Sequence, residues 1–303
     1  MMDARHLTKA LSDPSYVLGL DARRWNALLA MAGAEQLAAS LAWRLDGLRI
    51  PEAAAAILAE ARQAAEVQRG IALGEAAKAS RTLTPLGIPA ILLGGTAFAA
   101  AGLDAARGRQ IRDLDILVPF GRVGDAETTL RGLVHPASGL KLNLHHRTLA
   151  VATEPEPLGN GLWALSHEDM IVHAVAQLFA VGDLSGGLRN LWDIDRLIRE
   201  FSDEGDFWTR LHAASARQGL TRSLSRALRL SHHLFETPVD PWLAWQARAG
   251  DVFYLGRLLA RNGRGLEIRK ILRLAFRLRA RRIAMHPRAS SGIGNHLVAR
   301  DRP

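Results

Sequence analysis

Two glycines, Gly94 and Gly95, and two aspartates, Asp113 and Asp115, are the residues of this sequence best suited to chemistry. The glycines follow an apolar run, Ile88-Pro89-Ala90-Ile91-Leu92-Leu93, and the aspartates stand in Asp113-Leu114-Asp115-Ile116-Leu117-Val118. A diglycine after a strand has no Cβ to hold a phosphate away from the main chain, and Thr96 then starts a helix whose free N–H groups face an anion. Alternate side chains of a strand share a face, so Asp113 and Asp115 point the same way while Leu114 and Ile116 enter the core. Unpaired carboxylates in so apolar a run are costly, so the pair calls for a cation. Two such carboxylates beside a glycine turn suit a nucleoside triphosphate carried with magnesium.

The elements that must position these residues follow from periodicity. Residues 16–85 read as helices almost throughout, with Ala-rich amphipathic segments over Ala22–Leu45 and Pro51–Thr84, the second opened by a proline in its first turn. From Gly87 the pattern predicts a buried strand over Ile88–Leu93, a helix over Thr96–Ala106, a strand over Leu114–Val118 closed by Pro119, and a helix near Val123–Leu133. A turn at Gly139 then leads into a strand over Leu140–Leu149, with Lys141, Asn143 and His145 on one face. Residues 153–161, TEPEPLGNG, hold two prolines and two glycines and read as a loop and domain boundary. Ser166 with Asp169 forms a capping box ahead of Met170–Val175. After a turn over Gly182–Gly187, Leu188, Leu191, Trp192, Ile194, Leu197 and Ile198 make one apolar stripe.

Composition sets the broad class. A chain of 303 residues, 48% hydrophobic and 23% charged, has the make-up of a soluble globular protein of one large or two ordinary domains. With no cysteine, disulfides, thiolate zinc sites and cysteine nucleophiles are excluded, as suits a reducing compartment. No apolar run reaches the roughly 18 residues that span a bilayer, and the N-terminus lacks the order of a signal peptide, so a cytoplasmic location is expected. The net charge of +9 is a C-terminal property: Gln246–Pro303 carries 14 Lys or Arg against 3 acids, while the residues before it carry 25 against 27. The stretch from Ile271 puts Ile271, Leu274, Leu278 and Arg281 or Arg282 near helical spacing, a basic amphipathic helix. Such a segment fits a solvated helical face, an RNA contact, an acidic substrate or an anionic membrane.

The remaining polar residues have bland explanations. His145 and His146 are strand neighbours facing opposite ways, so His145 reads as a structural or substrate-facing residue rather than half of a metal pair. His167 and His173 lie six apart, which helical zinc ligation does not favour. Asp193 and Asp195 diverge on a helix, and Asp193 fits either a cleft-facing position or an ion pair with Arg189 or Arg196.

Taken together, the helical N-terminal region, Gly94-Gly95-Thr96-Ala97, Arg109 four residues before Asp113, and the Asp-Leu-Asp strand resemble the nucleotidyltransferase superfamily related to DNA polymerase β. Within it the chain resembles the bacterial family of uncharacterised nucleotidyltransferases, from about Trp25 to Phe201, and it is similar also to the nucleotidyltransferase toxins of abortive-infection systems. The resemblance implies an α/β, helix-rich α+β fold with a small mixed sheet; with the patterns above, the chain divides into an N-terminal helical segment (1–85), a nucleotidyltransferase core (86–152) and a helical C-terminal domain (160–285), and the composition of 286–303 reads as a basic, disordered tail. It implies that Gly94, Gly95, Thr96 and Arg109 bind the nucleotide, Arg109 through phosphate or by bracing the carboxylates, and that Asp113 and Asp115 hold magnesium or manganese. A nucleotidyl group would then pass from a nucleoside triphosphate to a hydroxyl of a small molecule, peptide, protein or RNA. Active members of the family place a third acid where this chain has Asn143, whose amide can ligate magnesium but brings no charge, so a third acid would have to come from elsewhere, such as Glu154 or Glu156. Arg112, where the family favours a small residue, would offer the carboxylates an internal cation. These departures keep two alternatives beside the enzyme: a toxin-like modifier of RNA or protein, and a catalytically weak nucleotide- or RNA-binding accessory protein.

Overall fold

The computed structural model describes residues 3–133, 140–147, 154–180, 182–240 and 248–285. Its N-terminal part is helical: α1 (Arg5–Ser12), α2 (Ala22–Ala34), α3 (Ala38–Arg44) and the long α4 (Glu52–Leu83). Alanine spacing explains α4. Ala65, Ala72, Ala76, Ala79 and Leu83 recur at intervals of three, four and seven, so one small-residue stripe is buried along its length. Pro51 stands at its N-cap, and Thr84-Pro85 ends it, because proline has no N–H to continue the ladder.

The buried face of α4 lies on a mixed sheet of five strands among the described residues: β1 (Ala90–Leu92), β2 (Asp113–Pro119), β3 (Lys141–Arg147), β4 (Glu156–Gly159) and β5 (Leu162–Ala164). Their order is β3-β2-β1-β5-β4, with β1 antiparallel to β2, β2 parallel to β3, β1 parallel to β5 and β5 antiparallel to β4. Helix α5 (Gly94–Ala100) joins β1 to β2, and α6 (Val123–Leu130) follows β2. This is the helix-rich α+β class expected from the sequence.

The segment Ala22–Leu45 is broken between Ala34 and Ala38, where Gln36 takes φ +57°, and three further boundaries differ from expectation. The first strand keeps only three of its six predicted residues. The predicted helix over Thr96–Ala106 begins at Gly94 and stops at Ala100, where Gly102 turns with φ +72°, and a short 3-10 turn covers Asp104–Ala106. TEPEPLGNG, expected as a loop, contributes β4 and the turn into β5. Asn160-Gly161 bends the hairpin with φ of +52° and +74°, and Pro157 is tolerated because β4 is an edge strand. Gly139, the end of the strand predicted to Leu149, and the tail 286–303 lie outside the described residues.

Beyond the sheet run α7 (His167–Ala180), α8 (Gly187–Phe201), α9 (Phe207–Arg217), α10 (Thr221–Phe235), α11 (Asp251–Leu258) and α12 (Lys270–Met285). The expected capping box opens α7: the Asp169 N–H donates to Ser166 Oγ over 3.3 Å. The apolar stripe of α8 is buried as predicted, and α7 and α10 pack on it. Asp193 and Asp195 are buried on the same helix but diverge. Asp195 accepts from Arg196, Arg199 and Thr237, whereas Asp193 pairs with Arg189 and Arg109. No helix of the described residues is long and apolar enough to cross a membrane.

Candidate functional site

Register between β2 and β3 builds the site. Asp113 pairs with Lys141, Asp115 with Asn143 and Leu117 with His145, so the residues expected on one face of β3 lie beside the aspartates of β2. Asn143 Nδ2 donates to Asp115 Oδ1 over 3.0 Å, and His145 Nε2 lies 2.8 Å from the same oxygen. An ionised carboxylate only accepts, so His145 presents its Nε2–H here. Burial alone would raise the pKa of Asp115, but the hydrogen bonds from His145 and Asn143, with the positive potential of His145 and His173, hold it below the ordinary value. Asp115 is therefore a carboxylate throughout the neutral range. Asp113, two residues earlier, is exposed, and its carboxylate has no hydrogen bond or ion pair among the described residues.

The glycine turn abuts this strand. Leu93 N–H donates to the Asp115 carbonyl over 3.0 Å, and Thr96 Oγ1 to the Asp113 carbonyl over 3.4 Å. Thr96 is wholly buried, so its hydroxyl ties α5 to β2. Gly94 opens α5 with φ +55°, a conformation that side chains with a Cβ rarely adopt. Opposite it stands Gln177 of α7, whose Nε2 is 3.0 Å from His173 Nε2 one turn earlier. Gly95 is crowded on its other side by Arg109, and any Cβ there would collide with the Arg109 side chain.

Arg109 is locked in place. It is mostly buried, stacks 5.8 Å from the Phe98 ring centroid, and pairs with Asp193, which Arg189 grips from its own helix over 3.0 Å. Arg189 is buried and also donates to Ser40 Oγ over 2.6 Å, so one network joins α3, the Arg109 loop and α8 behind the glycine turn. Of the two roles expected for Arg109, bracing the carboxylates has no counterpart: its described ion pair is with Asp193. Arg112 likewise does not serve them as an internal cation. It is exposed and donates to Gln110 Oε1 over 3.2 Å.

The structure thus gathers Gly94, Gly95, Asp113, Asp115 and Asn143 at one end of β1, β2 and β3, with Arg109 and Thr96 supporting them from behind. Glu156, a candidate for the missing acid, sits on β4, three strands from β2. At roughly 4.8 Å per strand that is about 14 Å away, so it does not complete the site. Sequence reasoning missed His145 as a partner of Asp115, although its alternation with Asn143 on β3 was the signal. It also missed His173 and Gln177, which no local pattern distinguishes from other polar residues of α7.

No curated protein and no solved structure matches the chain significantly. A family model described as an uncharacterised nucleotidyltransferase matches residues 21–133 and 133–236. That match runs from α2 through the sheet, both aspartates and the glycine turn to α10, and the chain belongs to this family of uncharacterised nucleotidyltransferases.

Proposed function

We propose that the chain moves a nucleotidyl group from a nucleoside triphosphate to a hydroxyl acceptor, with magnesium or manganese held by Asp113 and Asp115. The observation that carries this reading is Asp115: a carboxylate kept ionised and fixed through one oxygen, on the strand that abuts the glycine turn and beside the exposed carboxylate of Asp113, which has no partner among the described residues. Both hydrogen bonds to Asp115 converge on Oδ1, which leaves Oδ2 for a ligand. Two carboxylates without a closed cage suit magnesium, which keeps several waters and shares its ligands with substrate phosphates. When bound, the ion neutralises charge on the phosphates and on the departing pyrophosphate.

The protein's own residues set the geometry. Gly94 lets phosphate oxygens approach the main chain, and the Gln177 amide across the turn offers a donor to them. His145 and Asn143 fix the Asp115 rotamer, so little reorganisation is needed when substrate arrives. Arg109 and Asp193 hold the turn from behind. The basic segment Gln246–Pro303 leaves RNA among the acceptors, beside small molecules and proteins.

The test is incubation with each of four α-labelled nucleoside triphosphates, magnesium or manganese, and cell extract. Label should enter RNA, protein or a small molecule, and Asp113→Asn and Asp115→Asn should abolish it. Incorporation that survives both substitutions would remove the aspartates from the site. One observation favours a second reading, an accessory protein that binds nucleotide without transfer: at the third-acid position Asn143 donates to Asp115 rather than adding charge. Nucleotide binding by calorimetry with no labelled product from any extract would select it.

A further inference from the structure

We propose that α11 and α12 form a docking surface for an anionic lipid bilayer. Six of the eleven exposed large hydrophobic side chains of the described residues fall between Val252 and Leu278. Ile271, Leu274 and Leu278 are 87%, 57% and 51% exposed, at the three- and four-residue spacing that makes one stripe of α12. Val252 and Phe253 of α11 add 67% and 62% exposure. This is not a helix that failed to pack. Its inner face is anchored: Phe276 is buried edge-on against Tyr254, with ring centroids 5.0 Å apart, and Arg273 and Arg277 reach Asp183 over 2.9 and 2.8 Å. Between the two helices and Arg226 of α10 an open cleft of about 360 Å3, lined also by Gly250, Phe253, Tyr254, Leu272, Ala275 and Phe276, adjoins this surface.

Charge chooses the occupant. Beyond Arg273 and Arg277, which Asp183 holds, the sequence of Lys270–Met285 adds Lys270, Arg279, Arg281 and Arg282 and no acid, so its partner must accept aliphatic side chains and supply negative charge together. A bilayer of anionic lipids does both: the stripe enters the headgroup boundary while long basic side chains extend to the phosphates. RNA supplies the charge, but it offers no apolar surface to bury the aliphatic stripe of Ile271, Leu274 and Leu278, whose side chains cannot stack on its bases. A second copy would set the same cations against one another. The stretch from His286 to Pro303 has three arginines and one aspartate, so its net charge is positive as well.

The full chain should co-sediment with vesicles of equal parts phosphatidylglycerol and phosphatidylcholine, and far less with phosphatidylcholine alone. Binding should weaken as salt rises. The triple variant Ile271→Ser, Leu274→Ser, Leu278→Ser should lose about a hundredfold in affinity while melting at the wild-type temperature, since the three side chains are exposed without lipid. The chain has no cysteine, so Leu274→Cys takes a single environment-sensitive dye. Its emission should shift to the blue on the anionic vesicles. The proposal is overturned by an absent blue shift, or by anionic-vesicle binding that the triple variant retains. Loss in the triple variant of tight binding to an RNA oligonucleotide, without vesicle binding, would reassign the surface to RNA. Loss of a concentration-dependent dimer instead would reassign it to self-association.

Discussion

The Arg109 side chain lies across Gly95 so closely that a Cβ on the glycine would fall 2.9 Å from Arg109 Cδ and nearer still to Nε. The second glycine of the pair is therefore explained by an arginine, while the first is explained by its backbone angle. Gly95→Ala should cost about 1–3 kcal/mol, the usual penalty for overpacking. In an Arg109→Ala background the same substitution should cost almost nothing, because the colliding group is gone. Urea unfolding of the four proteins in this double-mutant cycle measures the coupling. Equal penalties in both backgrounds would mean that Arg109 does not set the requirement for glycine.

Asp193 should matter far more to stability than an exposed, ion-paired aspartate does. Replacing it by Asn leaves the buried Arg189 without a counter-charge, at a cost of about 3–5 kcal/mol. By contrast, Asp104→Asn breaks an ion pair with Arg107 that is half exposed on both sides, and the melting temperature should barely move. Thermal melts of the two variants side by side make the comparison. A large loss for Asp104→Asn with none for Asp193→Asn would reverse it.

How much of this was legible depends on whether the signal is local. The Asp113-Leu114-Asp115 strand, the capping box at Ser166 and the stripe of α8 are read from residues a few positions apart, and each sits where its spacing puts it. The β4–β5 hairpin was missed because Pro155 and Pro157 outweighed Asn160-Gly161, a hairpin turn pair; an edge strand tolerates proline, but a sequence does not say which strand is the edge. The partners of Arg109 were unreadable for a different reason. Asp193 is 84 residues away, and only the packing of α8 against the Arg109 loop brings them together. His173 and Gln177 reach the glycine turn by the same long-range route, through α7.

Asp183 gives a prediction in pH. Burial opposes its charge, but hydrogen bonds from Ser185, Arg273 and Arg277 hold its carboxyl far below the ordinary value of 3.8. A carboxyl depressed on folding stabilises the native state fully above its unfolded pKa, and that contribution is lost as pH falls through the folded value. Wild type should therefore exceed Asp183→Asn in stability by a constant amount at neutral pH, about 1–3 kcal/mol for the charged hydrogen bonds lost by a buried carboxylate whose arginine partners are partly exposed, and the gap should begin to close only below about pH 4. Urea midpoints from pH 7 to 2.5 would follow it. A gap that closes near pH 6 would point to a histidine instead.

Asn143→Asp separates the enzyme from the accessory protein. In the wild type the Asn143 amide donates to Asp115 over 3.0 Å, a bond that a carboxylate cannot make. Without a divalent ion the variant sets two negative charges face to face, so it should lose about 1–3 kcal/mol at neutral pH and recover part of this in acid, as one of the pair protonates. Adding magnesium should then raise its melting temperature more than that of the wild type, because the ion meets three carboxylates in place of two. Arg112→Gly is the control. Its side chain bonds Gln110 rather than the aspartates, so neither the melt nor its response to magnesium should change. If transfer is limited by the missing charge, Asn143→Asp should raise the rate of label incorporation, with a larger gain in magnesium than in manganese. A variant that gains magnesium stabilisation, binds nucleotide and still transfers nothing would place the fault outside the metal site and favour the accessory reading. Turnover in the wild type equal to that of the variant would show that an amide at position 143 is enough.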